Sequence, residues 1–182
     1  MRTPILETER LLLRPLTSAD AGAAFHNWSG DREATKYMRW ELHQTVEDAR
    51  AWLAREEKNV MSDTAYNWGF VLKTAGELIG SGGLFYTRKH DMMELGYILA
   101  RSQWKQGLAT EAARSIVEFA NHTLRLSQLF CCHAVENTAS GNVMRKVGFV
   151  YQNDGMYSSF DGKRMFRCKE YVLRFADAEP PC

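Results

Sequence analysis

The sequence predicts an α+β fold, with helices packed around one mixed, largely antiparallel sheet. Three observations lead there. Short runs rich in aromatic and aliphatic residues crowd the middle of the chain between turn-forming residues, the pattern of half-buried strands. A long stretch from Gly107 to about Leu124 repeats its apolar residues at helical spacing. The 182 residues, 45% of them hydrophobic, suffice for one substantial core and are few for two.

Arg10 to Leu16 (RLLLRPL) is an apolar run of strand length, and Pro15 argues that this strand lies at an edge or ends there. Thr17 with Asp20, and Thr45 with Asp48, repeat the spacing of a helix-capping box, so two helices should follow. The second would bury Val46, Ala49 and Leu53 and leave Glu47, Arg50 and Lys58 in water. From Tyr66 the runs YNWGFVLK, LIGSGGLFY and MMELGYILA read as three successive antiparallel strands, separated by residues 75–77 and 88–91. Leu108, Ala112, Ile116, Phe119, Ala120 and Thr123 then mark the longest apolar helix face. Leu129 to Val135 reads as a buried strand, and Thr138 to Val147 as a short helix closed by Gly148. Residues 149–157 and 166–175 are two further strands, with Asp161-Gly162 as a hairpin signal between them. The order β-α-α-β-β-β-α-β-α-β-β contains no repeat and no long linker, so residues 1–182 are expected to form a single domain, with 176–182 a frayed tail.

A formal net charge of +1, with charged residues at 25% and both signs interspersed, argues against nucleic acid or an anionic membrane as partner. Apolar runs fall short of the roughly 20 residues that span a bilayer. The start MRTPILETER lacks the apolar core of a signal peptide, so a cytoplasmic protein is expected. Cys131, Cys132, Cys168 and Cys182 show neither C-x-x-C spacing nor a disulfide framework, and no metal site is expected.

Chemistry concentrates in Glu94 to Glu111, ELGYILARSQWKQGLATE, where a strand runs through a polar loop into a helix. The first N–H groups of a helix lack intrahelical partners and carry the positive end of its dipole, so they can hold a phosphate. Gly107 and Ala109 let an anion approach closely, Thr110 offers a hydroxyl, and Lys105 adds a positive charge. Neither a Walker sequence nor G-x-G-x-x-G is present, which weighs against ATP or dinucleotide binding. Glu94 sits in an otherwise apolar strand, an uncomfortable place for a carboxylate unless it faces a wet cleft.

The segment WKQGLA at residues 104–109 resembles the Q/R-x-x-G-x-G/A loop of GNAT-superfamily acyltransferases. LETERLLLRPL, GELIGSGGL, ELGYIL and ENTASGNVMRKVGF are similar to the branch containing ribosomal-protein N-terminal acetyltransferases, and the likeness spans about residues 5 to 175. Trp104 departs from the Gln or Arg usual there, which shifts the expected phosphate contacts to the backbone of Gln106, Gly107, Leu108, Ala109 and Thr110.

The resemblance implies a seven-stranded sheet flanked by about four helices. The fourth and fifth strands would splay apart so that the pantetheine arm of acetyl-CoA lies between them. Backbone groups of Ile98 and Leu99 would hold that arm, with a β-bulge between Leu95 and Ile98 and with Asn137 and Asn142 assisting. Trp104 and Lys105 would complete the cofactor contacts. The implied activity is transfer of acetyl from acetyl-CoA to a primary amine by direct attack in a ternary complex. Glu94 would be the base or an acceptor-orienting group, and Ser140 the acid beside the sulfur; Asn137 and Ser140 also suit plain helix capping. The acceptor implied is a protein N-terminus, with a small amine such as a polyamine or antibiotic, or a non-catalytic acyl-CoA-binding module, as alternatives. Trp28, Tyr37, Arg39, Trp40 and Tyr157 are expected to line the acceptor site. A monomer or homodimer is compatible with all of this.

Overall fold

The computed structural model describes residues 2–176, and one eight-stranded sheet runs through them. Its strands are β1 (Leu6–Glu7), β2 (Leu11–Pro15), β3 (Ala65–Leu72), β4 (Glu77–Thr87), β5 (Met92–Leu99), β6 (Gln128–Ala134), β7 (Val150–Ser158) and β8 (Met165–Arg174). They lie in the order β1-β2-β3-β4-β5-β6-β8-β7. Every neighbouring pair is antiparallel except β5 and β6. The expected strands all form within one or two residues of their predicted bounds. The eighth is β1, whose two residues pair with Leu12 and Leu13 and are too few to leave an alternating pattern in the sequence. Cys182 and most of the predicted tail lie outside the described residues.

Helix formation follows the caps with one departure. Thr45 accepts from Asp48 N and opens α3 (Val46–Asn59), which buries Ala49 and Leu53 as its periodicity requires. Thr17 and Asp20 also make a capping box, yet a continuous helix does not follow. A 3₁₀ turn at Ser18–Asp20 leads into α1 (Ala21–Ala24), then a π turn at Phe25–Ser29, then α2 (Arg32–Thr35), capped by Asp31. Gly30 closes the π turn against Phe25, where an added Cβ would lie 2.9 Å from the Phe25 carbonyl oxygen. Trp28 is thereby swung fully into the core.

Two apolar layers sandwich the sheet. On one face α4 (Leu108–His122) and α5 (Thr138–Val147) cover Leu11, Leu13, Trp68, Phe70, Leu84 and Leu95. Phe119 of α4 meets both Tyr66 and Trp68 edge-on at 5.4 Å, a geometry that adds about 0.5–1.5 kcal/mol per pair beyond area burial. On the other face Trp28 and Leu53 pack against Leu16, Leu78 and Ile98.

The sheet is interrupted at one place. β5 and β6 pair only through Met93 with Leu129 and Glu94 with Phe130, and beyond those residues they exchange no further backbone pairs. The expected bulge in β5 is absent, because its register with β4 runs unbroken from Met92 to Leu99. The irregularity falls instead at Ile79 of β4, which β3 skips between Phe70 and Val71. β5 and β6 therefore part without any break in the register of β5 with β4.

Candidate functional site

The open end of the β5–β6 gap meets the first turn of α4. After Leu99 a 3₁₀ turn at Arg101–Gln103 reverses the chain, and Lys105 (φ 62°) and Gly107 (φ 80°) adopt left-handed backbone. Gly107 is the N-cap of α4 and supplies no capping side chain. The first N–H to find a helical partner is that of Glu111, on the Gly107 carbonyl at 3.0 Å. The N–H groups of Leu108, Ala109 and Thr110 thus remain at the positive end of the helix without intrahelical acceptors. A Cβ built on Gly107 would meet only Arg10 Nη2, at 3.6 Å, so space lies over the turn. A side chain there would still be strained, by about 1–2 kcal/mol, because φ is positive.

Trp104 folds back, and its indole N–H donates to the Leu99 carbonyl at 3.0 Å. Its departure from the motif has a structural use: the indole ties the turn to the end of β5. Gln106, though exposed, folds back along the turn and donates to the Ser102 carbonyl.

Glu111 holds the turn in place. It accepts from Thr8 Oγ1 at 2.6 Å, Arg10 N at 2.8 Å and Arg10 Nε at 2.7 Å, while Arg10 Nη1 donates to the Gln106 carbonyl at 3.0 Å. Burial opposes its charge, but these donors outweigh burial and hold the carboxyl below its ordinary value. Sequence reasoning assigned nothing to Arg10 or Glu111. The available signal was an acidic residue in the first turn of the longest helix.

Within the gap, alternation decides which backbone groups face the missing strand. The Ala100 N–H bonds the Ile79 carbonyl across β4, and the Ile98 carbonyl faces the same way, 2.3 Å from where a Gly80 Cβ would be. On the other side, the Leu95 carbonyl accepts from Cys131 Sγ at 3.1 Å. Leu95, Tyr97 and Leu99 therefore point their peptide groups at the gap, whereas those of Ile98 are committed to β4. This corrects the expectation for Ile98, whose side chain belongs to the Trp28 core.

α5 lines the far wall. Gly141 packs against His133 so closely that a Cβ would lie 2.5 Å from its Nε2, and this brings Ser140 alongside the gap. Asn137 caps the helix, its Oδ1 accepting from Ser140 N at 3.3 Å. The Tyr97 hydroxyl lies 3.0 Å from both Ser140 Oγ and the Ser140 carbonyl oxygen. Asn142 is exposed and engaged by Arg145.

Glu94 points to the opposite face from Leu95, and it is not alone. Its Oε1 lies 3.4 Å from Arg39 Nη2 and 3.6 Å from Cys132 Sγ. The Arg39 guanidinium also stacks 4.7 Å over the Tyr157 ring. Burial disfavours the Arg39 charge, but Glu94 and Cys132 more than restore it and the group sits above its ordinary value. The hydrogen bond that Cys132 donates to Cys168, burial and the Glu94 charge together push the Cys132 thiol far up. The segment that carries Arg39 is tied down by the β7–β8 hairpin. Tyr157 Oη donates to the Tyr37 carbonyl, Phe160 N to the Arg39 carbonyl, and Arg164 Nη2 to the carbonyls of Met38 and Trp40. Tyr37, Arg39 and Tyr157 thus belong to one assembly beside Glu94, whereas the Trp40 ring stacks on Trp52 against the core that encloses Trp28, and Trp28 leaves the acceptor surface. Among the described residues no group of three or more His, Cys, Asp or Glu is placed to hold a metal. Nor is any helix among them long and apolar enough to cross a membrane.

Comparison with known proteins agrees with this geometry. Residues 10–150 match the family described as acetyltransferase (GNAT) domain. The chain is 32% identical over 166 residues to the uncharacterized N-acetyltransferase YoaA of Bacillus subtilis, covering 86% of this chain and 93% of that protein. The ribosomal-protein-S5-alanine acetyltransferase of Vibrio fischeri superposes with a TM-score of 0.75 at 16% identity, over 97% of this chain and 100% of that one. The microcin C7 self-immunity acetyltransferase MccE, solved in complex with acetyl-CoA and AMP, superposes with a TM-score of 0.79 at 12% identity, over 92% and 94% of the two chains.

Proposed function

This chain belongs to the GNAT acetyltransferase family and is an acetyl-CoA-dependent N-acetyltransferase; from that premise we propose that its acceptor is the N-terminal α-amino group of a protein, acetylated in the cytoplasm. The observation that carries the site assignment is the strand pair that stops after Glu94 and Phe130, directly beside the uncapped end of α4. Bound acetyl-CoA would supply an activated thioester. The N–H groups of Leu108, Ala109 and Thr110 would hold its diphosphate, with Lys105 nearby. The peptide groups of Tyr97, the Leu99 N–H and the amide of Asn137 would hold the arm, and Ser140 would give a proton to the departing thiolate.

Acceptor choice is argued from Glu94. Its neighbour Arg39 leaves the cluster without net charge, so nothing there rewards a polycation. The cluster suits an amine that arrives neutral. An α-amino group, with a pKa of about 7.7–8.0, supplies a far larger neutral fraction near pH 7 than a lysine-like amine at about 10.4. Glu94 then orients the amine and receives its proton as the bond to carbon forms. Much of the rate would come from holding amine and thioester together, an effect worth up to about 7–11 kcal/mol in favourable cases. The structural kinship with an enzyme named for ribosomal protein S5 points the same way.

The test is thiol release from acetyl-CoA in the presence of a pool of short Ala-led and Ser-led peptides, set against spermidine and an aminoglycoside. Release with the peptides at least tenfold above that with the small amines is expected. The reverse preference would replace the proposed acceptor with a small amine. Acetyl-CoA binding without release to any amine would identify a non-catalytic module.

A further inference from the structure

Ser140 is held at three atoms. Asn137 takes its N–H, and one phenol from the opposite wall reaches both its hydroxyl and its carbonyl oxygen at 3.0 Å. That phenol comes from Tyr97, which lies on β5 and crosses the gap to α5, so the contact joins the two walls between which a thioester would lie. Burial pushes the Tyr97 phenol well above its ordinary value, with the Ser140 hydrogen bond working against it. The phenol therefore stays protonated, with one proton to place.

Proton counting on these atoms is restrictive. The Ser140 carbonyl can only accept, whereas Oγ can accept or donate. When the phenol proton goes to the carbonyl, the serine O–H is drawn back toward the phenol oxygen and away from the gap. When the phenol proton goes to Oγ, the serine O–H is free to point into the gap. We propose that Tyr97 is a positioning residue that sets the direction of the Ser140 proton, donating to Oγ in the reacting state so that the serine hydroxyl faces the leaving sulfur. This rests on the acid role given to Ser140 above. In the step itself the amine nitrogen bonds the acetyl carbon and the carbon–sulfur bond breaks with its electron pair going to sulfur. Sulfur takes the Ser140 proton, the amine proton leaves toward Glu94, and solvent water exchanges protons between Glu94 and Ser140 to restore both.

Tyr97→Phe removes one oxygen and keeps the ring in its packing, which makes it the informative variant. With acetyl-CoA and the same pool of peptides and small amines, Y97F is expected to lower kcat about tenfold and to leave the KM for acetyl-CoA within twofold. Ser140→Ala should lower kcat at least as much, and adding Y97F to S140A should cost nothing further. In a Ser140→Thr background, which retains a hydroxyl, the tenfold cost of Y97F should return. Wild-type kcat in Y97F would overturn the proposal while leaving Ser140 as acid. So would an equal loss from Y97F with and without Ser140, since that is the mark of a merely structural contact. Full activity in S140A would remove the acid role and this inference together. A melting temperature measured for every variant ensures that a kcat loss is read only from folded protein.

Discussion

Glu111→Gln is the substitution whose consequences the structure specifies most fully. The carboxylate is mostly buried, with its side chain 17% exposed, and it serves three donors from the β1–β2 turn. Glutamine keeps the volume and one acceptor oxygen, so Thr8 and the Arg10 N–H, which share one carboxylate oxygen, can still be satisfied. Its amide nitrogen, however, is then turned toward the Arg10 guanidinium, donor against donor. Hydrogen bonds to a charged group contribute about 1.5–3 kcal/mol each. Arg10 is 42% exposed, so the ion pair itself is discounted to about 1 kcal/mol or less. A loss of about 2–3 kcal/mol near pH 7 follows, a sizeable share of the roughly 5–15 kcal/mol that stabilises a domain.

The pH dependence gives this prediction its sharper edge. Glu111 has its folded pKa depressed, so the stability it contributes is present in full above the unfolded carboxylate value of about 4.3. That contribution is lost as pH falls through the lower folded value. Urea denaturation of wild type and E111Q should therefore show a gap that is wide at pH 7 and narrows below about pH 4. Because Arg10 also holds the Gln106 carbonyl, CoA affinity by calorimetry should fall in E111Q as well. A gap that is absent at pH 7, or one that does not change with pH, would refute the reasoning.

Three further outcomes are expected. Gly107→Trp should weaken CoA binding at least tenfold by calorimetry, because it fills the space over the turn; unaltered affinity would count against the phosphate cradle. Glu94→Gln should lower kcat most at low pH, where more of the acceptor amine is protonated, and a pH–rate profile that keeps its shape would end the base assignment. Arg164→Met cuts the ties to Met38 and Trp40 that fix the Arg39 segment. It should raise the acceptor KM severalfold and leave the acetyl-CoA KM alone, and equal changes in both would show that the segment serves the whole fold.

Local pattern carried most of the architecture. α4 was legible because Leu108, Ala112, Ile116, Phe119 and Ala120 obey one period and are all buried. The left-handed turn before α4 was legible from Gly107 because a glycine before such a helix has a conformational reason to be there. What escaped depends on contacts between distant residues. Arg39 meets Glu94 across 55 positions and Tyr97 meets Ser140 across 43, and neither pairing leaves a trace in local spacing. The π turn hid Trp28 in the core because a single inserted residue rotates a helix face without altering composition. Ile98 was misplaced by one step of alternation, an error that in a strand moves a residue's peptide groups from one neighbour to the other.

Two rungs, at Met93–Leu129 and Glu94–Phe130, are all the backbone pairing that joins the two halves of this sheet. What joins the halves beyond that ladder is the shared core, in which Leu84 and Leu95 of one side and Leu129 and Tyr171 of the other all take part, and a molecule laid along the open edge would be the absent rail between them. On the proposed function, the spent carrier would have to give up its bonds to that edge before another could take its place.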